Sequence, residues 1–181
     1  MKKVVIIMAA VAVFTGAGIG SASAAANTSS SLNAGAFGIN VGFQDSSSIG
    51  GTGVIMISGK YLVLNDLAVT AGVGIQASSG DLDADFFALS AGVRKYFRTD
   101  EFAPFIEGKF TYASEDIDII GVDKTTADFS ANFGAEYFLH KQFSIEGSVG
   151  LGFGTVHDKI SGQDYTYFGT HTVGLSANFY F

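Results

Sequence analysis

An alternation of apolar residues with polar or small ones recurs eight times along this 181-residue chain, and it constrains the fold more than any other feature. In the segment NAGAFGINVGF, for example, Phe37, Ile39 and Val41 share one face of an extended chain, while Gly38 and Asn40 share the other. Side chains alternate with a period of two residues along a β-strand. The sequence therefore predicts an all-β protein with eight strands.

The remaining seven segments with this pattern are GTGVIMISGKYLV, LAVTAGVGIQ, DFFALSAGVRKYF, APFIEGKFTYA, ADFSANFGAEYF, FSIEGSVGLGFG and a last strand that begins near Tyr165 and ends in VGLSANFYF. Short connectors, LND, RTDE and LHKQ, follow the second, fourth and sixth segments. Longer polar connectors, QDSSSIGG, ASSGDLDA, SEDIDIIGVDKTT and TVHDKISGQD, follow the others. This sorting of connectors predicts an up-and-down antiparallel transmembrane β-barrel, with short periplasmic turns, longer extracellular loops and strands of about 9 to 11 residues.

The composition agrees with a wall that faces lipid. Hydrophobic residues make up 48% of the chain and 24 residues are glycine, yet no apolar stretch after residue 26 is long enough for a membrane-spanning helix. Aromatic residues cluster near the predicted strand ends, where a barrel meets the lipid headgroups: Phe43, Tyr61, Phe97, Tyr112, Tyr137, Phe153, Tyr165, Phe179 and Phe181. A soluble lipocalin-like carrier, with the apolar rows facing inward, is an alternative that the composition leaves open.

The first 26 residues read as a cleavable signal peptide. They combine a basic start, a short apolar run and the small residues Ala22, Ser23 and Ala24, which predicts cleavage after Ala24 or Ala26 and a barrel domain over residues 27–181. The mature chain would carry 8 basic and 17 acidic side chains, a formal charge of -9, which argues against a nucleic-acid partner. The chain has no cysteine, which excludes disulfides and thiolate chemistry.

Six charged residues fall on the parity opposite the apolar rows, which places them inside the predicted barrel: Lys60, Arg94, Glu107, Lys109, Glu136 and Glu146. An isolated buried charge costs several kcal/mol, so we expect these three bases and three acids to pair with one another. The interior of an eight-stranded barrel is about filled by side chains. We therefore predict a structural plug, with a narrow or gated conduction path as the alternative.

The signal peptide, the GKYLV segment leading into LAVTAGVGIQ, the AGVRKYF strand end, the APFIEGKFTY strand and the final SANFYF together resemble the small outer-membrane β-barrel family, with its OmpX-like, opacity-protein-like and porin-family members. The resemblance covers the mature chain and implies an outer-membrane location, surrounded by lipid and lipopolysaccharide. It also implies that the barrel assembly machinery reads the last strand as a signal, at Val173, Leu175, Phe179, Tyr180 and Phe181. His171 departs from the pattern, since it falls on the lipid parity; it lies at the interface, or a bulge shifts the register there.

The sequence gives only weak signals for catalytic or metal-binding residues. His157, His171 and His140 lack a recognisable nucleophile and orienting acid in the sequence, so we predict no enzyme and no catalytic residue. Asp81, Asp83 and Asp85 resemble the first half of a calcium loop without its glycine and its final glutamate, so we predict no metal site and no cofactor. The acidic segment SEDIDIIGVDKTTAD is a candidate protruding ribbon with an unpaired edge.

The sequence therefore predicts an outer-membrane barrel with a filled polar interior and a structural or surface-interaction role through its extracellular loops. Host or cell-surface ligands are candidate partners of those loops. The alternatives are a narrow porin-like channel, a lipid-modifying barrel enzyme and the soluble carrier.

Overall fold

The computed structural model describes residues 30–46, 54–78, 84–117 and 122–181, except for the side chains of 43–46, 54, 76–78, 84, 117, 122 and 171–173. The described residues form eight β-strands: β1 (Phe37–Ser46), β2 (Val54–Leu64), β3 (Leu67–Ser78), β4 (Ala84–Tyr96), β5 (Phe102–Ile117), β6 (Val122–His140), β7 (Phe143–Asp158) and β8 (Gln163–Tyr180). The described part of the chain contains no helix long and apolar enough to cross a membrane.

The strands close into a single barrel. Each strand pairs antiparallel with its neighbour in sequence, and β1 pairs antiparallel with β8, from Gly38 opposite Tyr180 to Ser46 opposite Thr172. Closure leaves no free sheet edge along this seam, which is how an all-β wall avoids unsatisfied backbone groups. The prediction of an eight-stranded up-and-down barrel is confirmed.

The two ends of the barrel differ. At one end, which we call the turn end, the strands are joined through residues 65–66, 97–101 and 141–142. At the opposite end, the loop end, β1, β3, β5 and β7 finish and the strands that follow them begin. Strands β5 to β8 contain 16 to 19 residues, longer than the sequence predicted, because much of SEDIDIIGVDKTT and TVHDKISGQD is paired strand.

The segment predicted as a protruding ribbon therefore does extend β5 and β6, but the backbone edge of β5 is already paired. At the tip of β5, Ile117 is paired with Ala84 of β4 on one side and with Val122 of β6 on the other. The expectation of an unpaired edge in this segment was wrong, because β4 rises as far as β5 does.

The outer face of the wall is apolar, as the alternation predicts. Ile57, Val93 and Val149 are each more than half exposed in the middle of their strands, an arrangement that water would penalise and lipid would not. On β5, Phe102 and Tyr112 are both exposed on this face. Their separation of ten residues corresponds to roughly 33 Å along a strand, or about 25 Å along a barrel axis at a tilt of roughly 40°. That height matches the apolar band of an outer-membrane barrel.

Phenylalanines form a continuous row on this outer face across four strands. Phe110, Phe129, Phe153 and Phe168 are consecutive partners in register, and the rings of Phe110 and Phe129 lie 4.8 Å apart. We call this set the phenylalanine row. Near the turn end, Phe143 and Phe179 form a second ring contact at 5.0 Å.

A β-bulge at His171 changes the parity of the upper part of β8. Thr170 pairs with Leu151 and Thr172 pairs with Gly150, so His171 is the extra residue. An extra residue reverses the faces of a period-two pattern beyond it. Tyr165 consequently pairs with buried Val156 and lies on the lumen parity. Its predicted place among the lipid-facing aromatic residues was wrong, and Phe168 takes the outer position instead.

Candidate functional site: the charged lumen

Glu136 lies at the centre of a buried polar cluster near the turn end of the lumen. Its carboxylate accepts hydrogen bonds from Lys60 Nζ at 2.9 Å, from the hydroxyl groups of Tyr96 and Tyr180 at 2.8 and 2.7 Å, and from Ser144. Glu136 is fully buried. These four donors satisfy the hydrogen-bonding capacity that the buried carboxylate loses when it leaves water.

Arg94 forms the second half of the cluster. Its guanidinium donates to both oxygens of Glu146, at 2.6 and 2.8 Å, and to Glu107 Oε2 at 3.0 Å. Glu107 in turn accepts a hydrogen bond from Thr70 at 2.8 Å. The guanidinium also lies 3.7 Å above the ring of Phe105, a cation-π contact that covers its face.

Lys60 joins the two halves, because its Nζ lies 3.3 Å from Glu146 Oε2 as well as 2.9 Å from Glu136. We call the connected residues Lys60, Arg94, Glu107, Glu136 and Glu146 the charged belt. The structure thus brings together these members of the predicted lumen set. Lys109 lies further toward the loop end, two residues after Glu107 on β5 and opposite Ser130 of β6.

Four further residues complete the belt's hydrogen bonds and were not in the predicted lumen set: Tyr96, Tyr180, Ser144 and Asn178. Tyr180 was predicted only as part of the C-terminal signal. The alternation of faces could have identified them. Tyr96 and Ser144 each lie two residues from a predicted lumen charge on their own strand, and Asn178 pairs with Ser144 and with Asn40. The two tyrosines share the polar-face parity of their strands, but only charged residues were assigned to the lumen set from the sequence.

Above the belt the lumen is polar and incompletely filled. A cavity of about 70 Å³ is lined by side chains that include Asn40, Ser58, Thr70, Ser90 and Lys109. Such a volume holds a few water molecules, and the lining offers them several hydrogen-bond partners. Nearer the loop end, the Tyr167 hydroxyl donates to buried Asp128 at 2.9 Å.

Below the belt an apolar cluster closes the lumen at the turn end. It consists of buried residues from six strands and one from the segment before β1: Leu32, Leu62, Ala68, Tyr96, Ala103, Phe105, Phe138 and Tyr180. Leu32 is only 1% exposed although it precedes the first strand. From the turn end upward, the lumen therefore contains an apolar layer, the charged belt and a polar cavity.

The residues proposed as a C-terminal signal lie on both faces of β8. Leu175, Phe179 and Phe181 are exposed on the outer face, at 68%, 46% and 65%, whereas Tyr180 is buried in the lumen. The side chain of Val173 lies outside the described set. The outer group forms an accessible apolar stripe, and Tyr180 belongs to the belt.

The histidines form no catalytic constellation among the described side chains. His157 Nδ1 lies 2.5 Å from Asp164 Oδ1, and both side chains are at least half exposed on the loop-end part of the wall. His140 lies at the turn end, and the side chain of His171 is outside the described set. No group of His, Cys, Asp or Glu in the described residues could hold a metal ion, and Asp81 and Asp83 lie outside those residues.

At the loop end, charged side chains fasten the β7 to β8 connection to β6. Lys159 Nζ donates to Asp123 Oδ1 at 2.7 Å, and this hydrogen bond raises the pKa of the lysine. The backbone N–H groups of Ser161 and Ile160 donate to Asp158, which lowers the pKa of that carboxyl. The tip is therefore an ordered turn whose carboxylate stays charged.

Comparison with known proteins places the whole wall in one family. The family model described as outer membrane protein beta-barrel domain matches residues 9–179. A search of curated protein sequences found no significant match.

Solved outer-membrane barrels with a similar fold include two from Pseudomonas aeruginosa. The outer membrane protein OprG from Pseudomonas aeruginosa aligns with a TM-score of 0.60 at 12% identity, over 86% of this chain and 99% of that one. The N-terminal β-barrel domain of Pseudomonas aeruginosa OprF aligns with a TM-score of 0.52 at 14% identity, over 82% of this chain and 98% of that one. At these identities the likeness concerns the fold.

Proposed function

The chain belongs to the outer membrane protein beta-barrel domain family, and we propose that it is a closed barrel that presents its loop-end wall to cationic partners outside the cell. In this orientation the turn end faces the periplasm. The observation that carries the proposal is the continuation of paired strands beyond the apolar band.

The extension of the wall is substantial. On β5 the chain continues in paired strand from Tyr112 to Ile117, and on β6 it is paired from Val122. Five further residues correspond to roughly 16 Å of strand above the level of Tyr112. A barrel that served only to span the membrane would need no such rigid extension, and binding residues are commonly held on rigid scaffolds of this kind.

The charge of this extension favours a cationic partner. Its described acidic residues are Asp85, Glu115, Asp116, Asp123, Asp158 and Asp164, and its described basic residues are Lys124 and Lys159. We call these acidic residues the acidic rim. An excess of one charge attracts partners of the opposite charge and raises their rate of association, with a strong dependence on salt.

The filled lumen supports a closed barrel. Between the apolar layer at Leu32 and the cavity, each charged group of the belt contacts at least one group of opposite charge, so an ion passing through would have to replace these contacts. A narrow channel is the second candidate, and the polar cavity above the belt favours it. Small rearrangements of Arg94 and Lys60 would be needed to extend that cavity downward.

A soluble carrier and a lipid-modifying enzyme both receive less support. A soluble carrier of apolar ligands needs an apolar cavity and a polar exterior, whereas here the lumen is charged and the exterior apolar. A lipid-modifying enzyme would need a nucleophile beside His157, whose described polar contact is with Asp164. We therefore infer that the protein is not an enzyme.

We also propose the two targeting steps that the sequence suggests. Residues 1–26 direct export and are removed after Ala24 or Ala26. The exposed stripe of Leu175, Phe179 and Phe181 then presents the last strand to the assembly machinery. Lipid and lipopolysaccharide surround the finished wall.

Binding of a cationic probe tests the proposed surface role. The barrel in nanodiscs of zwitterionic lipid should bind fluorescent decalysine, more weakly as salt increases. A variant of the acidic rim, Glu115→Gln with Asp116→Asn and Asp164→Asn, should bind it less. A matched variant at the turn end, Asp66→Asn with Asp100→Asn and Glu101→Gln, removes the same charge and should bind like the parent. Equal binding by the parent and both variants would refute a role for the rim.

A further inference from the structure

We propose that residues 30–36 form an N-terminal strap that seals the turn-end mouth of the lumen and locks the barrel in its closed form. The segment precedes β1 and carries no periodic pattern, so its position follows from the structure alone. The proposal concerns the periplasmic end of the barrel and is independent of the acidic rim.

The strap is bonded to each of the turns at this end. Ser30 Oγ donates to the carbonyl of Thr99, in the connection at residues 97–101, and Ser31 Oγ donates to the carbonyl of Lys141, in the connection at 141–142. The backbone N–H of Ala34 donates to the side chain of Asn65, at 2.9 Å. The segment therefore crosses the mouth from one side to the other.

The strap then continues into the wall. Gly35 N donates to Leu62 O at 2.8 Å, and Leu62 N donates to Ala36 O at 3.0 Å, which extends the β1 to β2 pairing by one step. Gly35 has a φ of +87°, a left-handed conformation that glycine adopts without strain. This turn directs the preceding residues inward, across the opening.

Leu32 links the position of the strap to the pairing of β1 with β8. It packs in a cluster to which β2, β3, β4, β5, β6 and β8 all contribute side chains. Tyr180 of this cluster lies on β8, which pairs with β1 at the closing seam. The binding site for Leu32 is complete only after β8 has joined β1, so the strap stabilises the closed barrel over any open form.

Cysteine labelling tests the seal. The chain has no native cysteine, so an introduced cysteine is the only thiol that can react. Ala103 lies under the strap and is fully buried. In purified protein in detergent micelles, Ala103→Cys should react slowly with a charged maleimide. Adding Leu32→Gln should raise the rate by about tenfold or more, since exposing a buried leucine shifts a local opening equilibrium by roughly that factor. Gly35→Val should act in the same way, because a β-branched residue at a φ of +87° strains the backbone. Its Cβ would meet nothing within 4 Å, so the effect would not come from a side-chain clash.

Matched controls separate the strap from general destabilisation. Leu64→Gln makes the same change at an exposed position of the turn end, and Gly162→Val strains a left-handed glycine at the opposite end. Both should leave the rate unchanged, with folding of every variant checked by heat-modifiable migration on a gel. Loss of the folded band in both strap variants, with both controls folded, would support the locking role. Folded strap variants that react at the parent rate, or fast labelling of Ala103→Cys alone, would overturn the proposal.

Discussion

Arg94 donates hydrogen bonds to both carboxylate oxygens of Glu146, 2.6 Å to Oε2 and 2.8 Å to Oε1, inside a wall whose outer face is apolar. The two residues lie on β4 and β7, well apart around the barrel, so the pair connects strands that share no backbone contact. Both side chains are at most 7% exposed. The free energy of unfolding of the barrel should therefore depend on the presence of both charged partners.

Removing one partner should be costly, and removing both should cost less than the sum. Arg94→Met leaves Glu146 and Glu107 without their guanidinium, and we expect a loss of about 3 to 5 kcal/mol in the free energy of unfolding. The double variant with Glu146→Met removes the stranded carboxylate of Glu146 as well, so its loss should fall short of the two single losses combined. Urea unfolding, followed by gel migration, measures all three. Additive losses would show that the two side chains do not interact.

The filled lumen predicts little conductance. Reconstituted protein in planar bilayers should show no large, stable current steps at neutral pH, because the belt and the apolar layer around Leu32 both occupy the bore. The Arg94→Met and Glu146→Met double variant, if folded, serves as the comparison for a weakened belt. Reproducible large steps from the parent protein would favour a channel.

Glycine on the lumen face should tolerate no added side chain where the backbone is close. A Cβ at Gly134 would lie 2.5 Å from the carbonyl oxygen of Gly147 and 2.6 Å from Phe105. We expect Gly134→Ala to cost about 1 to 3 kcal/mol in unfolding free energy. At Gly108, on the outer face, a Cβ would meet nothing within 4 Å, and Gly108→Ala should stay within about 0.5 kcal/mol. Similar unfolding midpoints for both variants would contradict the assigned faces.

Deleting Phe181 should impair assembly more than stability. Its side chain is 65% exposed, so its loss in the folded barrel removes a lipid contact of about 1.5 to 3 kcal/mol. The deletion also removes the backbone hydrogen bond from Phe181 N–H to Phe37 O. Val149→Ala trims an exposed apolar side chain in mid-wall and is the matched change. If the last strand is read as a signal, the Phe181 deletion should accumulate unfolded in the periplasm while Val149→Ala inserts. Equal insertion of both, judged by the heat-modifiable band from cells, would leave β8 as an ordinary strand.

The wall and its faces were predictable because a two-residue period is a local property of the chain. That period placed Lys60, Arg94, Glu107, Glu136 and Glu146 in one interior, and opposite charges in one small space must pair. Which acid meets which base was not predictable, since it depends on strand register and barrel closure.

Three features of the structure could not be predicted from the sequence, each for a physical reason. Residues 30–36 have no periodicity, and Leu32 is buried by strands that are distant in sequence. The bulge at His171 reverses the parity of Tyr165, and one extra residue leaves little trace in an alternating pattern. The loop-end extension is polar, so the sequence suggested loops where the structure has paired strands. Polar residues indicate exposure to water, but they do not exclude β-structure.

Two adjacent residues of β6 should face opposite environments if the barrel spans a membrane. Phe133 is 59% exposed on the outer face, and Asn132 is 3% exposed in the lumen. Single cysteines at these positions, each carrying a small fluorophore, would be measured in bilayers with and without brominated lipid. In a barrel with this parity, quenching should be strong from position 133 and weak from position 132. Equal quenching at both positions, or stronger quenching at 132, would contradict a membrane barrel with an apolar exterior and a charged lumen.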